Sequence, residues 1–107
     1  MKAANNAPLY AAIYADLAET CRRSGYALAV HGSLARDFDI VAVPWAADPA
    51  LPARVVESIL ADFTALRQLG KPSTKEHGRV VYTLMLGTWG ESFLDISFMP
   101  PVFAKAT

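Results

Sequence analysis

The sequence predicts an α+β fold in which two helices cover one face of a mixed sheet of about four strands. Two segments carry apolar side chains at helical spacing, and four short segments have the apolar or alternating character of strands. Their order is helix, strand, strand, helix, strand, strand, which favours a sheet with one covered and one partly open face. A chain of 107 residues that is 53% hydrophobic and 19% charged is expected to form a single domain over residues 1–107.

The first helix is predicted between Asn6, which can cap it, and Gly25, which can end it. Pro8 suits the first turn of such a helix. Apolar residues recur every four positions at Leu9, Ile13, Leu17 and Cys21. Cys21 is therefore expected to be a small core residue rather than a reactive thiol.

Two strands and a second helix follow. The stretch "YALAVHG" indicates a buried strand that ends at Gly32, and "DFDIVAVPW" indicates a strand stopped by Pro44. The second helix is predicted from about Pro52 to Leu69 and is closed by Gly70. Its buried stripe consists of Val55, Ile59, Phe63 and Leu66.

The last third of the chain is predicted to contain a polar loop and two strands. The loop is "KPSTKEHGR", residues 71–79, and the strands lie in "VVYTLMLGTWGESFLDISFMP" with a hairpin around Gly87 to Gly90. Two interpretations of the loop remain open. In one, the loop is simply solvated; in the other, one or two of its basic residues reach a triphosphate, the candidates being Lys71, Lys75, His77 and Arg79.

Composition limits the classes of function. Lys and Arg total ten, as do Asp and Glu, so extended nucleic-acid binding is not expected. A single cysteine forms no internal disulfide and favours a reducing compartment. The first residues lack the apolar stretch of a signal peptide, and no apolar run is long enough to span a bilayer. The protein is therefore expected to be cytoplasmic, with no membrane partner.

Strand parity places three aspartates on the open face of the sheet. Side chains alternate across a strand, so Asp37 and Asp39 share the face opposite the apolar set of their strand, and Asp95 does the same in "FLDISF". If the two strands are neighbours, the three carboxylates approach one another and repel. A bound Mg²⁺ or Mn²⁺ removes that conflict. The alternative is a solvated strand end together with one wet face of an edge strand.

Three residues beside the first two acids are candidates for binding phosphate. Gly32 lets the backbone approach a bulky ligand, and Ser33 can offer its hydroxyl and N–H to phosphate oxygens. The alternative for this pair is a tight turn in which Ser33 acts as a cap. Arg36 either contacts phosphate or pairs with Asp37. His31 is expected to be a hydrogen-bonded structural residue rather than a general base.

The stretches "AVHGS", "DFDIV" and "FLDIS" together resemble the nucleotidyltransferase superfamily, which has the polymerase-beta-like fold. The resemblance implies that Asp37 and Asp39 coordinate two metal ions, and that Asp95 joins them and helps to deprotonate the attacking hydroxyl. It also implies that Gly32 and Ser33 hold the β- and γ-phosphates. The implied reaction is in-line attack of a hydroxyl on the α-phosphate of a nucleoside triphosphate, with release of pyrophosphate.

The chain differs from this family in one spacing. The family often has a short helix between Gly-Ser and the first Asp, whereas here only Leu34, Ala35 and Arg36 intervene, which predicts a tighter turn. These 107 residues are also expected to contain no second domain that would grip the base or acceptor. A protein partner or a homo-oligomer is therefore expected, and a catalytically inactive binding module of the same fold is the alternative function. The stretch "RDFDIVAVPW" also resembles small phage-associated proteins.

Overall fold

The computed structural model describes residues 6–86 and 92–101, which form two helices and a mixed sheet. The elements in chain order are α1 Ala7–Arg23, β1 Tyr26–His31, β2 Asp37–Pro44, α2 Pro52–Asp62, β3 Leu66–Gln68, β4 Ser73–Thr74, a 3₁₀ turn Glu76–Gly78, β5 Val80–Leu86 and β6 Phe93–Phe98. The strand order is β1-β2-β6-β5-β3, and β4 also pairs with β5. Strands β2 and β6 are parallel, and the other pairs are antiparallel. The predicted α+β class is confirmed, with six strands rather than about four.

The additional strands come from segments with weak strand signals. The second helix ends at Asp62, so its predicted extension to Leu69 is wrong. Phe63 leaves the helical region, and Leu66–Gln68 pairs with β5 instead. Leu66 is buried, as its place in the apolar stripe required, but it reaches the core from a strand. Strand β4 and the 3₁₀ turn lie within the predicted polar loop. The predicted hairpin at 87–90 lies outside the described residues, although β5 and β6 do pair antiparallel.

The hydrophobic core lies between the two helices and one face of the sheet. The sheet contributes the apolar parity set predicted from sequence, namely Phe38, Ile40, Ala42, Leu94, Ile96 and Phe98, all buried. Helix α2 contributes Val55, Val56 and Ile59. Helix α1 buries Leu17 and Cys21 as predicted, but Leu9 is 41% exposed. Tyr10 takes its place in the core because its ring stacks on Phe38 at 4.9 Å between centroids.

Polar contacts join the helices to each other at their C-terminal ends. Asp62 Oδ2 accepts hydrogen bonds from Thr20 Oγ1 and from Arg23 Nη2, both at 2.8 Å. The Arg23–Asp62 ion pair is partly exposed, so it contributes at most about 1 kcal/mol. Among the described residues no helix is both long enough and apolar enough to cross a membrane.

Strand β1 forms one edge of the described sheet, and a side chain of α1 reaches that edge. The Trp45 N–H donates to the Gly25 carbonyl, so these opposite residues form a hydrogen-bonded pair. Hydrogen-bonded and non-hydrogen-bonded pairs alternate along antiparallel strands, which makes Leu28–Ala42 a non-hydrogen-bonded pair. The N–H and carbonyl of Leu28 therefore point away from β2. The Tyr14 hydroxyl donates to the Leu28 carbonyl at 2.6 Å. One outward acceptor of this edge is thus satisfied within the chain, which reduces its capacity to pair with another strand.

Candidate functional site

Four polar side chains form a row across the open face of the sheet. The register pairs His31 of β1 with Asp39 of β2, Asp39 with Asp95 of β6, and Asp95 with Thr83 of β5. These positions have the parity opposite to the buried set of each strand, so their side chains lie on the face away from the helices. The sheet therefore places Asp39 and Asp95 side by side on neighbouring parallel strands.

The three predicted aspartates are not equally close. Asp37 is on the same face as Asp39 but two residues earlier along β2, opposite Phe93, and it is exposed. Two residues of a strand span about 6.6 Å, which sets Asp37 apart from the pair. Within residues 6–86 and 92–101, no group of three or more His, Cys, Asp or Glu side chains is arranged to hold a metal ion. The carboxylate pair Asp39–Asp95 is the centre of the candidate site, and Asp37 lies at its margin.

The surroundings of Asp39 destabilise the ionised form of its carboxyl group. Partial burial raises the pKa of its carboxyl above the usual value of 3.8, and the neighbouring charge of Asp95 raises it further. Asp37 acts in the same direction, while His31 opposes the rise. The Asp95 carboxylate is oriented by Thr83, whose hydroxyl donates to Oδ1 at 2.7 Å. A cation between the two carboxylates would relieve their repulsion.

Gly32 allows the Asp39 carboxylate to lie against the turn that follows β1. Its φ of +82° is in the left-handed region, and a Cβ atom at this position would be 3.1 Å from Asp39 Oδ2. Ser33 Oγ accepts a hydrogen bond from the Ala35 N–H at 3.3 Å, which is the capping arrangement of a tight turn. Gly32 therefore leaves space for the Asp39 carboxylate, and Ser33 stabilises the turn.

Helix α1 holds the other end of this turn. The Asn6 N–H donates to the Ala35 carbonyl at 2.8 Å, and Asn6 Nδ2 donates to the Arg36 carbonyl at 3.2 Å. The Tyr10 hydroxyl donates to the same Arg36 carbonyl. The Arg36 side chain is exposed, and none of the salt bridges among the described residues joins it to Asp37.

The carboxylate pair forms one side of a cleft of about 330 Å³. Its lining residues are His31, Asp39, Ser73, Lys75, Arg79, Val81, Thr83, Asp95 and Ser97. The lining does not include Gly32, Ser33 or Arg36, the predicted phosphate-binding residues. It includes Lys75 and Arg79 from the predicted polar loop. Sequence reasoning missed Thr83, although a lone polar residue of open-face parity in the apolar stretch "VVYTLML" was a usable signal.

The cleft combines two carboxylates with two basic side chains and several hydroxyls, a set suited to a divalent cation and a phosphorylated ligand. A scan against models of known protein families gives no match to this chain. A search of curated proteins gives no match either. The chemistry of the cleft is therefore the basis on which a function can be proposed.

Proposed function

We propose that this protein is a metal-dependent nucleotidyltransferase-like protein, which transfers a nucleoside monophosphate from a nucleoside triphosphate to a hydroxyl acceptor. The observation that supports this most is the pairing of Asp39 with Asp95 across adjacent strands, in a cleft that also contains Lys75 and Arg79. Carboxylates bind the cation that a triphosphate carries, and basic groups bind its phosphates.

The donor set suits Mg²⁺ or Mn²⁺. Both ions prefer oxygen ligands, and Mg²⁺ commonly takes only one or two carboxylates and completes its coordination with waters and substrate phosphates. Asp39 and Asp95 would hold the ion, with Asp37 at the margin for a second one. A bound ion would supply charge stabilisation at the attacking and leaving oxygens.

The reaction proposed is attack of the acceptor hydroxyl on the α-phosphate. A new phosphorus–oxygen bond forms, the bond to the β-phosphate breaks, and pyrophosphate leaves with that electron pair. The hydroxyl proton passes to a carboxylate, the role proposed for Asp95. Because Thr83 donates to Asp95 Oδ1, the other oxygen of that carboxylate remains as the proton acceptor.

A catalytically inactive nucleotide-binding module is the second candidate, and the turn after β1 favours it. The Ser33 hydroxyl accepts from the Ala35 N–H, and the cleft lining does not include Ser33. The phosphate contacts that the resemblance implied for the Gly32–Ser33 pair therefore have no support from this geometry. Such a module would act together with a protein partner.

Binding and turnover distinguish the two candidates. We expect nucleoside triphosphates to raise the melting temperature of the wild-type protein more with Mg²⁺ or Mn²⁺ than without metal, and Asp39→Asn to remove this metal-dependent increase. Asp48→Asn is the matched control, since Asp48 is exposed and outside the cleft lining. Pyrophosphate release with a panel of hydroxyl acceptors supports the transferase, and metal-dependent binding without release supports the module. A metal-dependent increase that is absent from wild type, or equal in both variants, refutes both.

A further inference from the structure

We propose that Lys75 and Arg79 form an anion-binding site that holds the phosphoanhydride part of a nucleotide, on the side of the cleft opposite Asp39. The Lys75 N–H donates to the Arg79 carbonyl at 2.7 Å, which extends the β4–β5 pairing by one position. Both residues therefore have the parity of Ser73 and Val81, whose side chains line the cleft. The two basic side chains are adjacent on one face of the sheet.

Arg79 is held in position by a buried hydroxyl. Its Nη1 donates to Ser97 Oγ at 2.9 Å, and Ser97 is only 6% exposed. Ser97 is two residues beyond Asp95 on β6, about 6.6 Å along the strand, so this hydrogen bond holds the guanidinium near the acid pair. A guanidinium has five N–H donors, so most remain for a ligand. A prepositioned donor group lowers the entropic cost of binding.

Within the described part of the chain, no acid forms a salt bridge with these two residues. The salt bridges within residues 6–86 and 92–101 lie within α1, within α2 or between these two helices, and none includes Lys75 or Arg79. Two adjacent cations repel each other, and a bound anion converts this repulsion into attraction. Arg and Lys with nearby hydroxyls are the groups that proteins use to bind phosphate oxygens.

The size of the cleft indicates which part of a nucleotide it holds. A volume of about 330 Å³ is at the lower limit for small-molecule sites, and most of the lining residues are polar or charged. The phosphates would occupy the cleft and the nucleoside would extend outside it. We therefore expect binding that depends on the number of phosphates and differs little among the four common bases.

Inorganic pyrophosphate without metal tests this site on the intact protein. Isothermal titration calorimetry should show binding by the wild-type protein that weakens about tenfold in Lys75→Ala and in Arg79→Gln. Lys71→Ala is the matched control, because Lys71 is an exposed lysine of the same segment outside the cleft lining, and its affinity should equal that of wild type. Arg79→Lys, which keeps the charge but loses the planar donor geometry, should be intermediate. Circular dichroism establishes that each variant is folded.

The identity of the anion as part of a substrate rests on the proposed function, but the two fail separately. Absence of pyrophosphate binding by wild type, or equal losses in Lys71→Ala and Lys75→Ala, overturns the anion site and leaves metal binding by Asp39 unaffected. Asp39→Asn should bind pyrophosphate without metal at least as well as wild type, since it removes a negative charge. If pyrophosphate binding requires Lys75 and Arg79 while the metal-dependent stabilisation by nucleotides does not require Asp39, the result supports the anion site and rejects the transferase. Preference for one base over the others contradicts the predicted orientation.

Discussion

Replacing Asp39 with asparagine should stabilise the metal-free protein at neutral pH. Partial burial and the charges of Asp95 and Asp37 raise the pKa of Asp39 in the folded state, so the folded protein pays for keeping this carboxylate ionised. Asparagine has nearly the same shape, carries no charge, and can donate from its amide to the Asp95 carboxylate. The substitution removes the repulsion and leaves the strand pairing in place.

The size of the effect follows from the strand spacing. Neighbouring strands lie about 4.8 Å apart, and two unit charges about 5 Å apart interact with about 1 to 3 kcal/mol for effective dielectric constants from about 80 down to about 20. Both carboxylates are partly exposed, which favours the lower end of this range. A gain of about 1 kcal/mol raises the melting temperature of a domain of this size by about 4–8 °C.

Thermal unfolding in a metal chelator between pH 3 and pH 8 measures this difference. The destabilisation caused by ionised Asp39 should be absent below pH 3.8, the ordinary pKa of the carboxyl group, because the group is then protonated in both the folded and the unfolded state. It should develop as the pH rises from this value through the elevated pKa of the folded state. The advantage of Asp39→Asn should therefore grow with pH and then become constant. Asp48→Asn, an exposed control, should show no such trend. A destabilised Asp39→Asn protein at neutral pH, or an advantage that does not change with pH, would refute the reasoning.

Three further outcomes are expected. Thr83→Val removes the hydroxyl that orients the Asp95 carboxylate, so the Mg²⁺ affinity measured by calorimetry should fall about tenfold; an unchanged affinity would show that this hydrogen bond has no role in metal binding. Burial raises the pKa of the Cys21 thiol to about 11, so a disulfide reagent at pH 8 should modify it only after denaturant is added, and rapid labelling of the native protein would contradict its core placement. Tyr14→Phe removes the donor to the Leu28 carbonyl at the sheet edge and should lower the free energy of unfolding in urea by about 1 kcal/mol, and an equal or higher value would count against this contact.

Local sequence rules predicted the parts of the fold that local rules govern. Alternation along "DFDIVAVPW" and "FLDISF" assigned Phe38 and Ile96 to the core, because a strand partly buried on one face has a period of two. The end of α2 could not be predicted in this way. Leu66 fits a helical stripe and also fits a short strand, and its pairing with Leu86 of β5 decides between them. Strand β4 has two residues, and its pairing with β5 rather than its own composition determines it.

The candidate site was likewise predicted in part by local rules, and the rest of it depends on strand pairing. Parity predicted that Asp39 and Asp95 share a face, but their direct pairing depends on β2 and β6 being parallel neighbours, which no local pattern specifies. The positions of Lys75 and Arg79 in the cleft depend on the β4–β5 register and were open alternatives from sequence alone. The Gly-Ser pair was a phosphate-binding candidate from its residue types, with a tight turn as the alternative, and the resemblance, which describes a family's usual loop, implied phosphate binding. The short loop of this chain has its own hydrogen bonds instead.

The three aspartates differ in the contacts that hold their backbone in place, because Asp37 directly follows the short turn before β2. Asp39 and Asp95 each have register partners on both neighbouring strands, whereas Asp37 is paired with β6 alone, so the sheet fixes the backbone of the acid pair more firmly. Asp37 is the first residue of β2, and the carbonyl just before it accepts hydrogen bonds from Asn6 and Tyr10 of the α1 end. Movement of the N-terminal part of α1 would shift Asp37 while leaving the acid pair in register. A second cation bound through Asp37 would therefore depend on how α1 is seated, whereas a cation bound by the pair would not.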